Sequence, residues 1–213
     1  MRVIRTKRDL KQGVAALIRS CEHLARVHAL AGDPPLRRRG AGFKGLARVV
    51  VSQQVSIASA TAIWERLAAQ VHPFTAASFL ELGDSDLRRA GLSAVKIATL
   101  RRVAEAVQAG TLDLGALTRA PEAVIHAELT ALKGIGPWTA DIYIVFCLAR
   151  ADAWSSGDLA LQLAVKDVFG LDERPGEMRM SAIAEAWRPW RAVAARMLWS
   201  YYALCRKTSA APA

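Results

Sequence analysis

Residues Leu129 to Asp158 read LTALKGIGPWTADIYIVFCLARADAWSSGD. At the centre lies Gly134-Ile135-Gly136. Two glycines around one aliphatic residue admit backbone angles that other residues resist, so the turn can be tight and its N–H groups accessible. Pro137 suits the first position of a new helix, where its missing N–H costs nothing. Upstream, Pro121 opens a segment whose apolar residues Val124, Ile125, Leu129 and Leu132 recur at helical spacing. The pattern predicts helix, hairpin, helix over residues 121–150. The second helix then aims N–H groups and the positive end of its dipole at the hairpin, which suits a phosphate. Lys133 adds a charge beside them. A plain helical hairpin closed by a glycine turn carries the same local pattern.

At the far end of the stretch, Asp158 stands after Trp154-Ser155-Ser156-Gly157 and before Leu159-Ala160-Leu161. An aspartate in this position is first of all a helix N-cap. As chemistry, an anion there suits a reaction that develops positive charge on a sugar, which it can stabilise while orienting or deprotonating water. The local pattern carries both readings.

Composition narrows the partners. With 29 Lys plus Arg against 19 Asp plus Glu, the 213-residue chain carries a net charge of +10. Such an excess draws a polyanion: nucleic acid first, an anionic membrane surface second. A membrane-surface protein is disfavoured, because no basic amphipathic helix with an exposed aromatic face is found. The chain is 53% hydrophobic and 23% charged, within the range of a soluble globular protein. Its length allows one large domain or two small lobes. Cys21, Cys147 and Cys205 are too few and too far apart for a disulfide framework or a metal-binding pair. Cys147 lies in an apolar run and is expected to be buried. The N-terminus lacks an apolar signal core, and no run reaches membrane-spanning length, so a cytoplasmic location is expected.

From the start, Thr6 to Asp9 forms a capping box with Asp in place of Glu, predicting a first helix to Arg26. Asp33-Pro34-Pro35 breaks the chain, and Arg37-Arg38-Arg39 follows; such a run is usually a solvated loop, with phosphate contact as the lesser reading. Phe43 opens a helix that ends at Ser52-Gln53-Gln54-Val55. Ser56 caps the next, through Val71, with Ile57, Ala60, Ile63, Trp64 and Leu67 as core candidates. Short helices are expected at 75–82 and 84–90, and one from Ser93 to Ala109. Asp158 opens a helix to Phe169, and a final pair covers 181–187 and 189–207. No convincing strand ladder is found, so the fold class is all-α. The domain is expected to span residues 1–207, with a disordered tail at 208–213.

Leu132-Lys133-Gly134-Ile135-Gly136 followed by Asp158 resembles the mark of the helix–hairpin–helix DNA glycosylase superfamily, Leu-x-Gly-(Ile/Val)-Gly, a helix, a Gly/Pro-bearing loop and an Asp. Within it the chain looks like the alkylpurine branch, the 3-methyladenine DNA glycosylase II type. Ser52-Gln53-Gln54-Val55-Ser56, Gly91-Leu92-Ser93 with Lys96, and Trp187-Arg188-Pro189-Trp190-Arg191 through Trp199 match that branch in order. The resemblance covers Phe43 to Arg206. It implies two helical lobes with Asp158 near their shared cleft, in a compact form without the N-terminal β-rich domain of some members.

The resemblance further implies that Asp158 is catalytic and that Trp138 and Trp199 flank an extruded base. Gln54 would wedge into the minor groove, beside Gln53, while Lys133, Gly134, Ile135 and Gly136 grip DNA phosphate. It also implies a monovalent cation, Na+ or K+, on the backbone carbonyls of Thr130, Leu132 and Ile135. No cofactor is required, and the Cys-rich iron–sulfur segment of some relatives is missing. The partner would be double-stranded DNA containing alkylated bases, with the protein a monomer. Trp138 occupies the place of the lysine that forms a Schiff base in glycosylase/lyases, so a monofunctional enzyme is expected. Ile142 and Leu159 stand where some relatives carry tyrosine. For both tryptophans the competing reading is core packing, and for Gln53-Gln54 a polar loop. Two other functions stay open: a non-catalytic helix–hairpin–helix DNA-binding module, and a glycosylase/lyase for oxidised bases.

Overall fold

The computed structural model describes residues 2–209, the last three by backbone only. Its helices are α1 (Lys7–Ser20), α2 (Glu22–Ala31), α3 (Phe43–Val51), α4 (Ile57–Gln70), α5 (Ala76–Leu80), α6 (Asp84–Arg89) and α7 (Ala94–Gln108). There follow α8 (Leu114–Leu117), α9 (Glu122–Thr130), α10 (Pro137–Phe146), α11 (Leu159–Val168), α12 (Glu177–Glu185) and α13 (Arg191–Ser209). Among the described residues the extended pairing is a single antiparallel bridge, Val3 with Arg150. The chain divides into two compact units: Met1–Arg38 with Ala149–Ala213, and Arg39–Leu148.

In the first unit α13 is the centre, packed against α1, α2 and α11. Its residues 192–198 are all buried, and small side chains (Ala192, Ala194, Ala195) let neighbours approach on every side. The expected capping box is formed: Thr6 Oγ1 accepts from the Asp9 N–H at 3.2 Å, and Asp9 Oδ2 accepts from the Thr6 N–H at 2.8 Å. The helix does not continue to Arg26. It stops at Cys21, whose backbone is extended (φ −142°, ψ 109°), and restarts as α2. Ser and Cys are weak helix formers, and Ser20 Oγ donates to Leu17 O at 3.3 Å, competing for a helix carbonyl. The bend lets α2 pack on both α1 and α13, burying Leu24 and Val27. The preceding segment is fixed by the Ile4 N–H on Ala149 O and the Ala151 N–H on Arg2 O. Helix α12 begins four residues before the expected Ser181, and α13 carries on through Thr208 and Ser209. The rest of the tail, 210–213, lies outside the described residues.

In the second unit α3 packs on α4, α7 and α10, with Val49-Val50-Val51 helical and buried. Phe43 sits 5.6 Å from Phe79 and 6.0 Å from Phe74, whose ring is 4.9 Å from Trp64. Of the core candidates on α4, Ile57 fails, and Val124 of the apolar segment in α9 is exposed as well. Ile57 is 73% exposed and Val124 45%, because each lies in the first turn of its helix, on the side away from the neighbours. The short α8 is additional to the expected helices; Asp113 Oδ1 caps it, accepting the Gly115 and Ala116 N–H groups at 2.9 Å. Cys147 is buried, which pushes its thiol pKa up to about 12. No helix among the described residues is long and apolar enough to cross a membrane.

Candidate active site and DNA interface

The hairpin belongs to the second unit. Helix α9 ends at Thr130, and α10 opens with Pro137 in its first turn. The two glycines between them serve different ends. Gly134 has φ +101°, and a Cβ there would stand 2.0 Å from Thr99 Oγ1. Thr99 is buried and donates to Val95 O at 2.9 Å, so it cannot retreat easily. Gly136 is extended (φ −94°, ψ 175°), exposed, and its Cβ position meets nothing within 4 Å. The approach to the start of α10 is therefore open at Gly136, where a helix N-terminus can receive a phosphate oxygen. Ile135 is buried and pins the turn to the core, its N–H donating to Leu132 O at 2.9 Å. Lys133 is exposed, and its carbonyl accepts from Arg102 Nη1 at 3.5 Å. Thr130 Oγ1 donates to His126 O at 2.8 Å, turned back along its own helix.

Gln53 and Gln54 part company. Gln53 Nε2 donates to Thr139 Oγ1 at 2.8 Å and to Gly134 O at 3.3 Å, so this side chain braces the hairpin instead of projecting outward. Gln54 is exposed with φ +51°, a left-handed backbone that is uncommon outside glycine. Lys96 Nζ donates to Val51 O at 2.8 Å, tying α7 to the end of α3; burial lowers its pKa. Trp138 is half-buried in the first turn of α10, and Ile142, four residues on, is buried.

The carboxylate belongs to the first unit. Asp158 is the N-cap of α11 and 7% exposed. Its Oδ1 accepts from the Leu161 N–H at 2.9 Å and from Trp199 Nε1 at 3.0 Å. The cap role and a chemical role thus coincide: the contacts that cap the helix also fix the carboxylate. The loop before it is steadied by Gln162 Nε2 on Ser156 O (2.9 Å) and by the Ser156–Ser181 hydroxyl pair (2.8 Å). Trp199 is half-buried on α13, whereas Trp187 and Trp190 are core, Trp187 lying edge-on to Trp154 at 5.3 Å. Leu159 is 53% exposed beside the carboxylate.

Several residues that shape these places escaped the sequence reading. Thr99, beneath Gly134, and Arg102, on the Lys133 carbonyl, act over 35 and 31 residues of chain, without a local pattern to mark them. The Trp199 donor lies 41 residues from the carboxylate it holds.

The chain is similar to YfjP of Bacillus subtilis, 31% identical over 172 residues, covering 74% of this chain and 58% of that protein. Among solved structures it is similar to the Schizosaccharomyces pombe 3-methyladenine DNA glycosylase Mag1 in complex with abasic DNA. That match has a TM-score of 0.82 and 28% identity, covering 88% of this chain and 95% of the other. It is also similar to a DNA-3-methyladenine glycosidase of Bacillus halodurans, with a TM-score of 0.77 and 32% identity over 92% of this chain and 91% of that one. The all-helical architecture is that of these proteins. A sequence profile described as the HhH-GPD superfamily base excision DNA repair protein matches residues 47–189, and with the glycine hairpin and the capped aspartate inside that span, the chain belongs to this superfamily.

Proposed function

We propose that this protein is a monofunctional DNA glycosylase that flips alkylated purines of the 3-methyladenine type out of duplex DNA. It hydrolyses the N-glycosidic bond and leaves an abasic site for base excision repair. The reading is carried by the Asp158 carboxylate, buried and held on one oxygen by the Leu161 and Trp199 N–H groups. As the C1′–N bond breaks, its electron pair leaves with the base and positive charge builds on the sugar. A fixed anion stabilises that charge, and it accepts a proton from the water that forms the new C1′–O bond.

Alkylation at N3 or N7 makes a purine cationic. Indole faces from Trp138 and Trp199 attract such a base by about 0.5–2 kcal/mol. The same charge weakens the glycosidic bond, so modest chemical assistance suffices. Trp138 has no amine, hence no Schiff base and no strand cleavage. Gly134 and Gly136, with Lys133, receive the backbone phosphate at the start of α10. Gln54 fills the gap left by the flipped nucleotide, from an exposed position with a left-handed backbone.

The carbonyls of Thr130, Leu132 and Ile135 are hard oxygen donors suited to Na+ or K+. Leu132 O already takes the Ile135 N–H and keeps a second lone pair for such an ion. A monomer in the cytoplasm, needing neither cofactor nor iron–sulfur cluster, completes the proposal. The test is a panel of duplexes bearing 3-methyladenine, 7-methylguanine, ethenoadenine, hypoxanthine or 8-oxoguanine, scored separately for released base and for strand cleavage. Release from alkylated duplexes without cleavage is expected; cleavage, or borohydride trapping on DNA, would replace this reading with a glycosylase/lyase.

A further inference from the structure

The geometry points to a second phosphate site, apart from the hairpin: the loop 36–38 in the first unit, with Arg37 and Arg38 as ligands for the DNA backbone. The inference rests on the DNA-acting reading above and adds a place where the duplex is held.

The loop is exposed at Arg37 and Arg38, yet it is firmly built. Arg196 of α13, only 3% exposed, reaches up from the core and donates through Nη1 to Leu36 O at 2.8 Å and to Arg37 O at 3.3 Å. Arg38 Nη1 donates to Arg5 O at 3.4 Å, tying the loop to the N-terminal segment. Arg37 itself has φ +32°, a backbone region sparsely used by long side chains. An interior arginine thus holds two carbonyls of a loop on which Arg37 and Arg38 are exposed.

The charges run the same way. Burial and the neighbouring Arg37 both oppose the positive charge on Arg196. Arg5 adds another exposed cation. Of the acidic side chains close in sequence, Asp9 is taken up by the Arg5 and Thr6 N–H groups at 2.8 Å each, and Asp33 by His28 at 2.9 Å and Lys11 at 3.8 Å. Bringing like charges together raises the local potential, and an anion with several acceptor oxygens relieves it; the planar guanidinium fork fits phosphate in particular.

The location supplies the remaining argument. Arg196 and Trp199 are three residues apart on one face of α13. Arg196 holds the arginine loop, and Trp199 holds Asp158. The residue that fixes the arginine loop and the residue that fixes the carboxylate thus stand on one helix, about 5 Å apart along its axis.

The experiment measures binding of the full chain to a fluorescein-labelled duplex containing a tetrahydrofuran abasic analogue, by anisotropy over a series of KCl concentrations. The R37A/R38A variant is expected to lower the slope of log K against log salt by about 1–2, as for one or two lost phosphate contacts. R37K/R38K should restore most of the slope, and R19A/R26A, with an equal loss of charge elsewhere in the same unit, should keep it. Thermal melting of all variants should coincide. An unchanged slope in R37A/R38A, or an equal fall in R19A/R26A, would overturn the site. Base release from alkylated duplex is followed on the same preparations. A wild type that binds but releases no base removes the glycosylase reading alone, whereas active wild type with an unchanged R37A/R38A slope removes only the loop.

Discussion

Trp199 Nε1 donates to Asp158 Oδ1 at 3.0 Å, so a residue expected to stack on the substrate also holds the carboxylate. Two roles meet in one side chain, and they can be separated. Trp199→Phe keeps an aromatic face and removes the donor. A hydrogen bond to a charged group contributes about 1.5–3 kcal/mol, so kcat for base release should fall at least about tenfold with KM little changed. A rise in KM at constant kcat would leave Trp199 as a stacking surface only.

Asp158→Asn tests the chemistry while sparing the fold. Asparagine is as good an N-cap as aspartate, and its oxygen can still accept the Leu161 N–H. Thermal stability should stay within about 1 kcal/mol, and affinity for abasic duplex should persist. Single-turnover base release should drop by about 10²–10⁴-fold. Full turnover in this variant would transfer the role to another residue, or leave a DNA-binding module.

The hairpin glycines should respond in opposite ways. Gly134→Ala forces a Cβ against Thr99 at a positive φ, and overpacking with left-handed strain should destabilise the second unit by about 2–4 kcal/mol. Gly136→Ala meets open space and should change stability by no more than about 0.5 kcal/mol. Its new methyl stands where a phosphate would approach, so DNA affinity should fall. Denaturant melts and anisotropy titrations together distinguish the pair; equal melting points would contradict the assignment.

Gln53 and Gln54 make a second contrasting pair. Gln53→Ala strips Thr139 and Gly134 of a donor and should cost about 1–2 kcal/mol of stability. Gln54→Gly relieves the left-handed backbone and should hold or raise the melting temperature, yet base release should slow because the wedge is gone. A Gln54→Gly enzyme as fast as wild type would leave gap filling to another side chain.

The first helix carries an acid-sensitive cap. The Thr6 and Arg5 N–H groups, in that order, with a further bond to the Thr6 side chain, hold the Asp9 pKa below its ordinary 3.8. A depressed carboxylate contributes stability that is complete above the unfolded value of about 3.9 and disappears as pH falls through the lower folded value. The melting-temperature gap between wild type and Asp9→Asn should therefore be constant from pH 7 to about pH 5 and close as pH falls through and below the ordinary carboxylate range. A gap independent of pH would place the cap's contribution elsewhere.

Several helix starts and the all-α class of the fold are legible in the residues alone. The caps at Thr6, Ser56, Ser93 and Asp158 and the proline opening α10 lie where the residues indicated. Each is a bond between a side chain and a backbone group three residues away, or a fixed φ, and such signals are complete within one turn. Packing alone set the inward turn of Gln53, the reason for glycine at 134 and the donor on Asp158. Those depend on partners 35 to 86 residues distant, such as Thr99 beneath Gly134 and Thr139 on Gln53. Packing brings such groups together, and periodicity along a single helix carries no record of what will stand opposite.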